Sequence, residues 1–310
     1  MDQLVELNEP FPQHRYPWLC SLRRIGQQSS HQCGAVLLST PPGPTVIVTS
    51  AHCVNICKSE DGRQVPNCCC PNVGPGLCNS TEDCGTNARS VVMTGAEAEV
   101  KCGEWDTASD LEEDYNVTLP IVKISVHPDF NISRGEQNSQ FVVADIATIH
   151  VSDDNFEAQS RAHHINPACL PIQPLSDTAP AVHSGWSIPP PRDYLTAHVP
   201  AYLDVFQHFS KQWHNSMNLT KCEDPKIVQQ LGGYDPYTLN HPTNSYYPPG
   251  TICAVEKEGE FCPTSGESGS PLMVKNDDGR MVAEGISSFI KVLKILLFSI
   301  LLRVGGAMIK

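Results

Sequence analysis

Three residue types that together perform nucleophilic chemistry at a carbonyl stand in telling places along this 310-residue chain. Ser268 lies in Gly266-Glu267-Ser268-Gly269-Ser270, just before the strand-like Pro271-Leu272-Met273-Val274. Glycines on either side let the backbone turn tightly and leave the Ser268 hydroxyl and amide open to a substrate carbonyl. Such Gly/Ser turns are also ordinary surface features. The stretch gains its meaning from Thr49-Ser50-Ala51-His52-Cys53 and Ala144-Asp145-Ile146-Ala147. Asp145 is the carboxylate inside an otherwise apolar run from Phe141 to Ile149. A charge buried in a strand needs partners to offset its desolvation. Those partners are either backbone amides, in a purely structural role, or a histidine such as His52; the presence of Ser268 favours the second.

The elements that must position these residues read as short strands and turns. The chain has 26 prolines and 21 glycines with 40% hydrophobic residues, a composition for many turns around a packed core. Apolar runs at 34–38 and 46–49 flank Pro41-Pro42-Gly43-Pro44, and the Val46-Ile47-Val48 strand delivers His52 to its end. Residues 1–13 carry no clear structural signal. Residues 56–90 look like an insertion, with Cys57, Cys68, Cys69, Cys70, Cys78 and Cys84 among Pro, Gly, Asn and Asp. In an oxidised chain this is a loop closed by its own bridges; a zinc site is the alternative. Lying next to His52, it would wall a cleft and restrict large substrates. His163-His164 reads as a surface pair rather than a metal site, and 204–230 as a polar stretch with room for a short helix.

The three motifs, in the order His52, Asp145, Ser268, resemble the trypsin/chymotrypsin-like serine peptidases (peptidase S1). The likeness runs over residues 14–290 and includes Tyr16-Pro17-Trp18-Leu19-Cys20-Ser21-Leu22, Cys33-Gly34-Ala35-Val36-Leu37, Val126-His127-Pro128, Pro167-Ala168-Cys169-Leu170-Pro171, Gly185-Trp186 and Thr251-Ile252-Cys253-Ala254. It implies an all-β chain of two six-stranded antiparallel Greek-key barrels, roughly 14–175 and 176–290. It implies further that Ser268 attacks a peptide carbonyl, that His52 is the general base and that Asp145 orients it. Gly266 and Ser268 amides would form the oxyanion hole, and Ser288 would support the buried aspartate beside the substrate site. Glu260 falls near the base of the primary pocket, where an acid selects Arg or Lys. Cys33 would bridge Cys53 and Cys222 would bridge Cys253, whereas Ala181 and Val274 occupy two positions that many members join by a disulfide. The acidic stretch from Glu104 to Asp114 falls where members carry a calcium loop, which its oxygen ligands would suit; a solvated acidic loop is the plainer reading. No other cofactor or metal is implied.

Charge and cysteine content fit this resemblance. A net charge of −13 argues against a nucleic-acid partner, whose phosphates call for a basic surface. Fourteen cysteines point to disulfides and an oxidising compartment. Glycosylation sequons begin at Asn79, Asn116, Asn131 and Asn218. The segment Met1-Asp2-Gln3-Leu4-Val5-Glu6 lacks the basic head and apolar core of a leader, so a secreted chain is expected to have its leader elsewhere. Protein or peptide substrates, an activating protease and protease inhibitors are the expected partners; a membrane is not.

The chain departs from the family in three ways. No Ile/Val-Val-Gly-Gly tetrapeptide precedes Tyr16; Val5-Glu6-Leu7-Asn8 stands at about that distance. The family's aspartate before the catalytic serine, which pairs with the freed amino terminus, is Glu267. After Phe289 the family's pocket strand, its cysteine partner for Cys262 and its terminal helix give way to an apolar run through Arg303. From this, the second barrel is expected to be incomplete, with 291–310 an atypical tail. Two function classes follow: a secreted serine endopeptidase, and a non-catalytic homologue that acts as a binding or regulatory partner in an extracellular cascade.

Overall fold

In the computed structural model the described residues are 15–25, 31–39, 43–59, 89–107, 116–134, 140–152, 156, 165–171, 179–186, 213–220, 251–256, 266–292 and 297–303. The first half contains β1 (Leu19–Arg24), β2 (His31–Ser39), β3 (Val46–Thr49) and the single-turn α1 (Ala51–Val54). Then come β4 (Asn55–Lys58), β5 (Arg89–Val92), β6 (Ala98–Cys102), β7 (Val117–Leu119) and β8 (Ile121–Val126). The half closes with β9 (Asn131–Arg134), β10 (Gln140–Val143) and β11 (Ala147–Val151).

Seven of these strands form one antiparallel sheet in the order β7-β6-β1-β2-β3-β11-β8. Pro120 alone separates β7, at one edge, from β8, at the other. The sheet must therefore curl until its edges meet at this proline, which splits one long strand in two; proline cannot donate to a ladder, so the break falls where it stands. A six-stranded barrel with one divided strand is the result. Strand sequence explains the inside: Ala98, Val100 and Cys102 point inward on β6 while Glu99 and Lys101 face outward, and Ala147, Ile149 and Val151 do the same on β11. With Leu22, Leu37, Ile47 and Leu119 they build the first core.

Cys20 lies directly opposite Cys102 where β1 pairs with β6, and the two are joined as a disulfide. This bridge was not expected from the sequence. The expected Cys33–Cys53 bridge is present. Cys253 is disulfide-bonded as well, and Cys222 lies outside the described residues, as do the 60–88 portion of the cysteine-rich insertion, the sequon at Asn79, His163-His164 and Glu260.

The second half is a closed barrel of β12 (Pro180–Gly185), β13 (Trp213–Thr220), β14 (Thr251–Glu256), β15 (Pro271–Lys275), β16 (Met281–Val292) and β17 (Leu297–Arg303). Its strand order is β12-β13-β14-β17-β16-β15. The sequence led to an incomplete second barrel, and here the structure differs. β17, from the stretch read as an atypical tail, pairs with β14 from Thr251↔Leu302 to Val255↔Phe298 and with β16 from Gly285↔Arg303 to Val292↔Leu297. The physical reason is that β14 and β16 would each present an unpaired edge, and an apolar segment of strand length satisfies both ladders at once. Ala181 pairs with Val274 across β12 and β15, both buried, so small apolar packing fills the place of a bridge.

The two halves meet closely. The crossover at Pro167–Pro171 is tied to both, through Ala168 N–H to the Leu37 carbonyl (2.8 Å) and Ala283 N–H to the Cys169 carbonyl (2.8 Å). Val36 and Val48 of the first half pack with Met273, Ala283 and Ile286 of the second. Ser270 lies against glycines of both: a Cβ on Gly34 would meet Ser270 Oγ at 2.0 Å and its Cα at 2.8 Å, and one on Gly185 would meet Oγ at 2.4 Å.

This contact makes a discriminating prediction. Gly34→Ala should destabilise by about 3 kcal/mol and Gly185→Ala by about 1–2 kcal/mol, as overpacked sites do. Adding Ser270→Gly should restore Gly185→Ala, which then has only a 3.9 Å neighbour left, but not Gly34→Ala, which still faces backbone. Urea unfolding of the four variants checks this; full rescue of Gly34→Ala would contradict it.

Candidate active site

His52 is held from three sides. β3 ends at Thr49, whose hydroxyl donates to the Gly34 carbonyl (2.8 Å). The next residue, Ser50, donates its hydroxyl to the Ser287 carbonyl of β16 (2.7 Å). Cys53, directly after His52, is bridged to Cys33 of β2. A single helical turn between these ties leaves the imidazole little freedom, and it remains 29% exposed.

Asp145 sits between β10 and β11, with no exposed surface. The residue before it, Ala144, has φ +48°, a left-handed conformation that non-glycine residues seldom adopt. Ile146 N–H bonds back to the Ala144 carbonyl at 2.7 Å, closing a tight turn that aims the carboxylate inward. There Oδ1 accepts the His52 backbone N–H (2.8 Å), and Oδ2 accepts from His52 Nδ1 (2.7 Å) and from the Ser288 hydroxyl (2.5 Å). Backbone strain at one residue is thus held by three bonds at the next.

These bonds settle protonation. Burial pushes the His52 pKa down, but the charge and hydrogen bond of Asp145 outweigh it and hold the imidazole above its ordinary 6.5. Burial raises Asp145, and again the partners win: His52 and Ser288 hold the carboxyl below its ordinary 3.8. With Nδ1–H donated to the aspartate, neutral His52 presents Nε2 as a lone pair, the form a general base needs. Among the described residues no hydrogen bond joins Nε2 to Ser268, a spacing common in sites that tighten on substrate. Cys53 Sγ lies 3.7 Å from Nε2 and 3.8 Å from the Ser268 carbonyl oxygen, so the imidazole and the Ser268 turn border the same small volume. Cys33, His52 and Cys53 also fall within metal-ligand distance of one another, but the two sulfurs are bonded together and offer no thiolate.

The Ser268 turn depends on glycine at both ends. Gly266 has φ +99° and Gly269 φ +81°; a Cβ on Gly269 would also stand 2.3 Å from the Gly34 carbonyl oxygen and from Thr49 Oγ1. Gly269 N–H donates to Ser287 (2.6 Å) and Ser270 N–H to Glu267 (2.9 Å), fixing the turn against β16. The Gly266 and Ser268 amides donate to no other described residue, which leaves them for an oxygen of a ligand.

Glu267 was singled out in the sequence, but its neighbour His183 and the nearby His31 were not. Glu267, fully buried, has Oε2 3.9 Å from Nδ1 of the equally buried His183, whose pKa burial pushes down to about 4. His31, also lowered to about 4 by burial, reaches the Gly266 carbonyl with Nε2 at 3.0 Å. Their signal was polarity inside apolar strands, His183 within β12 and His31 at the head of β2. Glu104, first acid of the stretch read as a solvated acidic loop with a calcium loop as the alternative, is buried against Arg23; residues 108–115 lie outside the described residues.

The chain is 24% identical over 261 residues to mannan-binding lectin serine protease 1 of Mus musculus, covering 84% of the chain. The Rattus norvegicus protein of the same name is 24% identical over 263 residues. The chain spans about 28% of the length of these relatives. Among solved structures, human heparin binding protein superposes with a TM-score of 0.51 at 14% identity, covering 96% of this chain and 90% of that one. No family model matches. In the order of its motifs, in its relatives and in its fold, the chain is similar to the trypsin-like serine peptidases.

A reaction at Ser268 that used His52 as its base would take its pH dependence from the His52 shift. Neutral imidazole is required, and its pKa is raised, so the rate should climb with pH through a midpoint above 6.5. Asp145→Asn removes the causes that raise it and leaves burial, so the midpoint should fall. For stability the sign is separate. The Asp145 contribution is present above 3.8 and is lost as pH drops through its depressed folded value, while that of His52 is lost as pH rises through its raised one. A rate–pH profile of probe labelling for both proteins checks the first two statements.

Proposed function

We propose that this chain is a secreted serine endopeptidase that hydrolyses peptide bonds of protein substrates through an acyl-enzyme on Ser268. The observation that carries the reading is the hydrogen-bonded set His52–Asp145–Ser288 beside a glycine-flanked serine with two uncommitted amides. In this reading Ser268 Oγ attacks the carbonyl carbon as His52 Nε2 takes its proton. The carbonyl oxygen, now negative, is stabilised by the Gly266 and Ser268 amides. His52 then returns the proton to the leaving amine, and water repeats the sequence to release the acid. Every proton moves between chain and substrate, so the reaction needs no cofactor.

Secretion is supported by the Cys20–Cys102 and Cys33–Cys53 disulfides, and among the described residues no helix is long and apolar enough to cross a membrane. Specificity for Arg or Lys before the scissile bond is proposed from Glu260 alone. Protein substrates, together with an activating protease and protease inhibitors, are the proposed partners.

A fluorophosphonate probe applied to the folded chain, with and without brief trypsin treatment, tests the reading. Labelling should occur, should vanish in Ser268→Ala, and should fall by a factor on the order of 10⁴ or more in His52→Ala, the loss typical of such sites. A folded chain that stays unlabelled under both conditions would leave the non-catalytic homologue in its place.

A further inference from the structure

A line of buried hydrogen bonds runs from the loop after β6 to the carbonyl of Gly266. At its far end the Arg23 guanidinium is paired with the Glu104 carboxylate and also donates to the Thr107 carbonyl (3.4 Å). Arg23 and Glu104 are 4% and 2% exposed, so the ion pair is shut away from water. Arg23 Nε–H continues to Ser21 Oγ (3.3 Å), Ser21 Oγ to His31 Nδ1 (2.8 Å), and His31 Nε2 to the carbonyls of Gly266 (3.0 Å) and Trp186 (3.2 Å).

The direction of every bond is fixed. Guanidinium groups only donate and carbonyls only accept. His31 Nε2 faces two carbonyls and so carries the proton; Nδ1 of the neutral ring is then an acceptor. Ser21 must donate its single hydrogen to Nδ1, and its oxygen is left to accept from Arg23. No member can turn around without leaving a buried polar atom unmade. The loop is held to this line a second time, because the Trp186 indole donates to the Trp105 carbonyl (3.2 Å). At its base, Cys102 is bridged to Cys20.

We propose that the Glu104–Arg23 pair is a positioning element for the oxyanion amides, acting through Ser21 and His31 on the Gly266 carbonyl. This rests on the peptidase reading for its catalytic meaning. Gly266 has φ +99°, a conformation with no Cβ to stiffen it, so its peptide planes are set by what holds their atoms. His31 holds the carbonyl side, and the amide of the same residue is the donor the reaction needs. Without Glu104, Arg23 would be a buried, uncompensated charge and would turn toward solvent. Ser21 Oγ would lose the donor that fixes its rotamer, and the tilt of His31, set by that hydroxyl, would be held less firmly. A residue far from the reacting atoms would thereby loosen a catalytic donor, and misplacements of about 1 Å cost up to roughly a hundredfold in rate.

The alternative is that the pair only stabilises the first barrel, and two variants separate these roles. Arg23→Met with Glu104→Leu removes both charges and keeps the volume apolar, a replacement that leaves stability near its starting value in comparable sites. Ser21→Ala cuts the line in its middle and leaves the ion pair in place. Both should melt within a few degrees of the wild type yet react with the fluorophosphonate about tenfold or more slowly, with peptide-substrate KM little changed and kcat reduced. Ser21→Thr, which keeps the hydroxyl, should recover most of the rate. A folded variant of either kind that labels at the wild-type rate overturns the proposal. Should the wild-type chain itself not label, the peptidase reading fails, and the line is then judged by hydrogen exchange at the Gly269 and Ser270 amides of the turn. Faster exchange there in both variants, with β1–β2 amides unchanged, upholds it as a positioning device; equal exchange overturns it.

Discussion

His52 and Asp145 come from the first half of the chain, Ser268 and Ser288 from the second, so everything chemical depends on how closely the halves approach. They approach to the limit that backbone allows. At Gly34 and Gly269 there is no volume for a methyl group, and the Ser50 hydroxyl and Ser288 hydroxyl each cross the boundary to a partner in the opposite half. Glycine here sets distance more than it supplies flexibility. A bulkier residue on either side would separate the barrels, and with them His52 from Ser268.

Around that boundary several buried charges of the described residues sit beside partners. Asp145 is compensated by three donors, and Arg23 is matched to Glu104. Glu267 lies beside His183. Isolated charges in such surroundings would be expelled or neutralised; the donors around Asp145 and the Arg23–Glu104 pair prevent that. The Glu267–His183 contact is notable for its place. The side chain adjacent to Ser268 faces a histidine internal to the second barrel, 3.9 Å away, where the trypsin-like family resemblance implied an amino-terminal ammonium.

How much of this could be read beforehand varied with the kind of interaction. Local signals carried far: the glycines flanking Ser268, the apolar run around Asp145 and the strand leading to His52 all define their own conformations. Pairings between distant residues did not. Cys20 and Cys102 are 82 residues apart, and nothing in their spacing shows that β1 and β6 set them face to face. The line from Glu104 to Gly266 needs the same register to exist. β17 was hidden for another reason. Leu297-Phe298-Ser299-Ile300-Leu301-Leu302-Arg303 lacks the strict alternation of polar and apolar residues, and a short apolar run without it reads equally as a buried strand or a helix segment. Only the open edges of β14 and β16 decide between them.

The closure of the second barrel also orders events in time. β16, which supplies the Ser287 carbonyl and the Ser288 hydroxyl to the site, is completed as a barrel strand by β17. During synthesis, at roughly 5–20 residues per second, the strands carrying His52 and Asp145 emerge long before residue 303. The first barrel can therefore curl and form its disulfides while the Ser268 turn still lacks the wall it leans on. A nascent chain of this design holds His52 and Asp145 for some time before the Ser268 turn has its support.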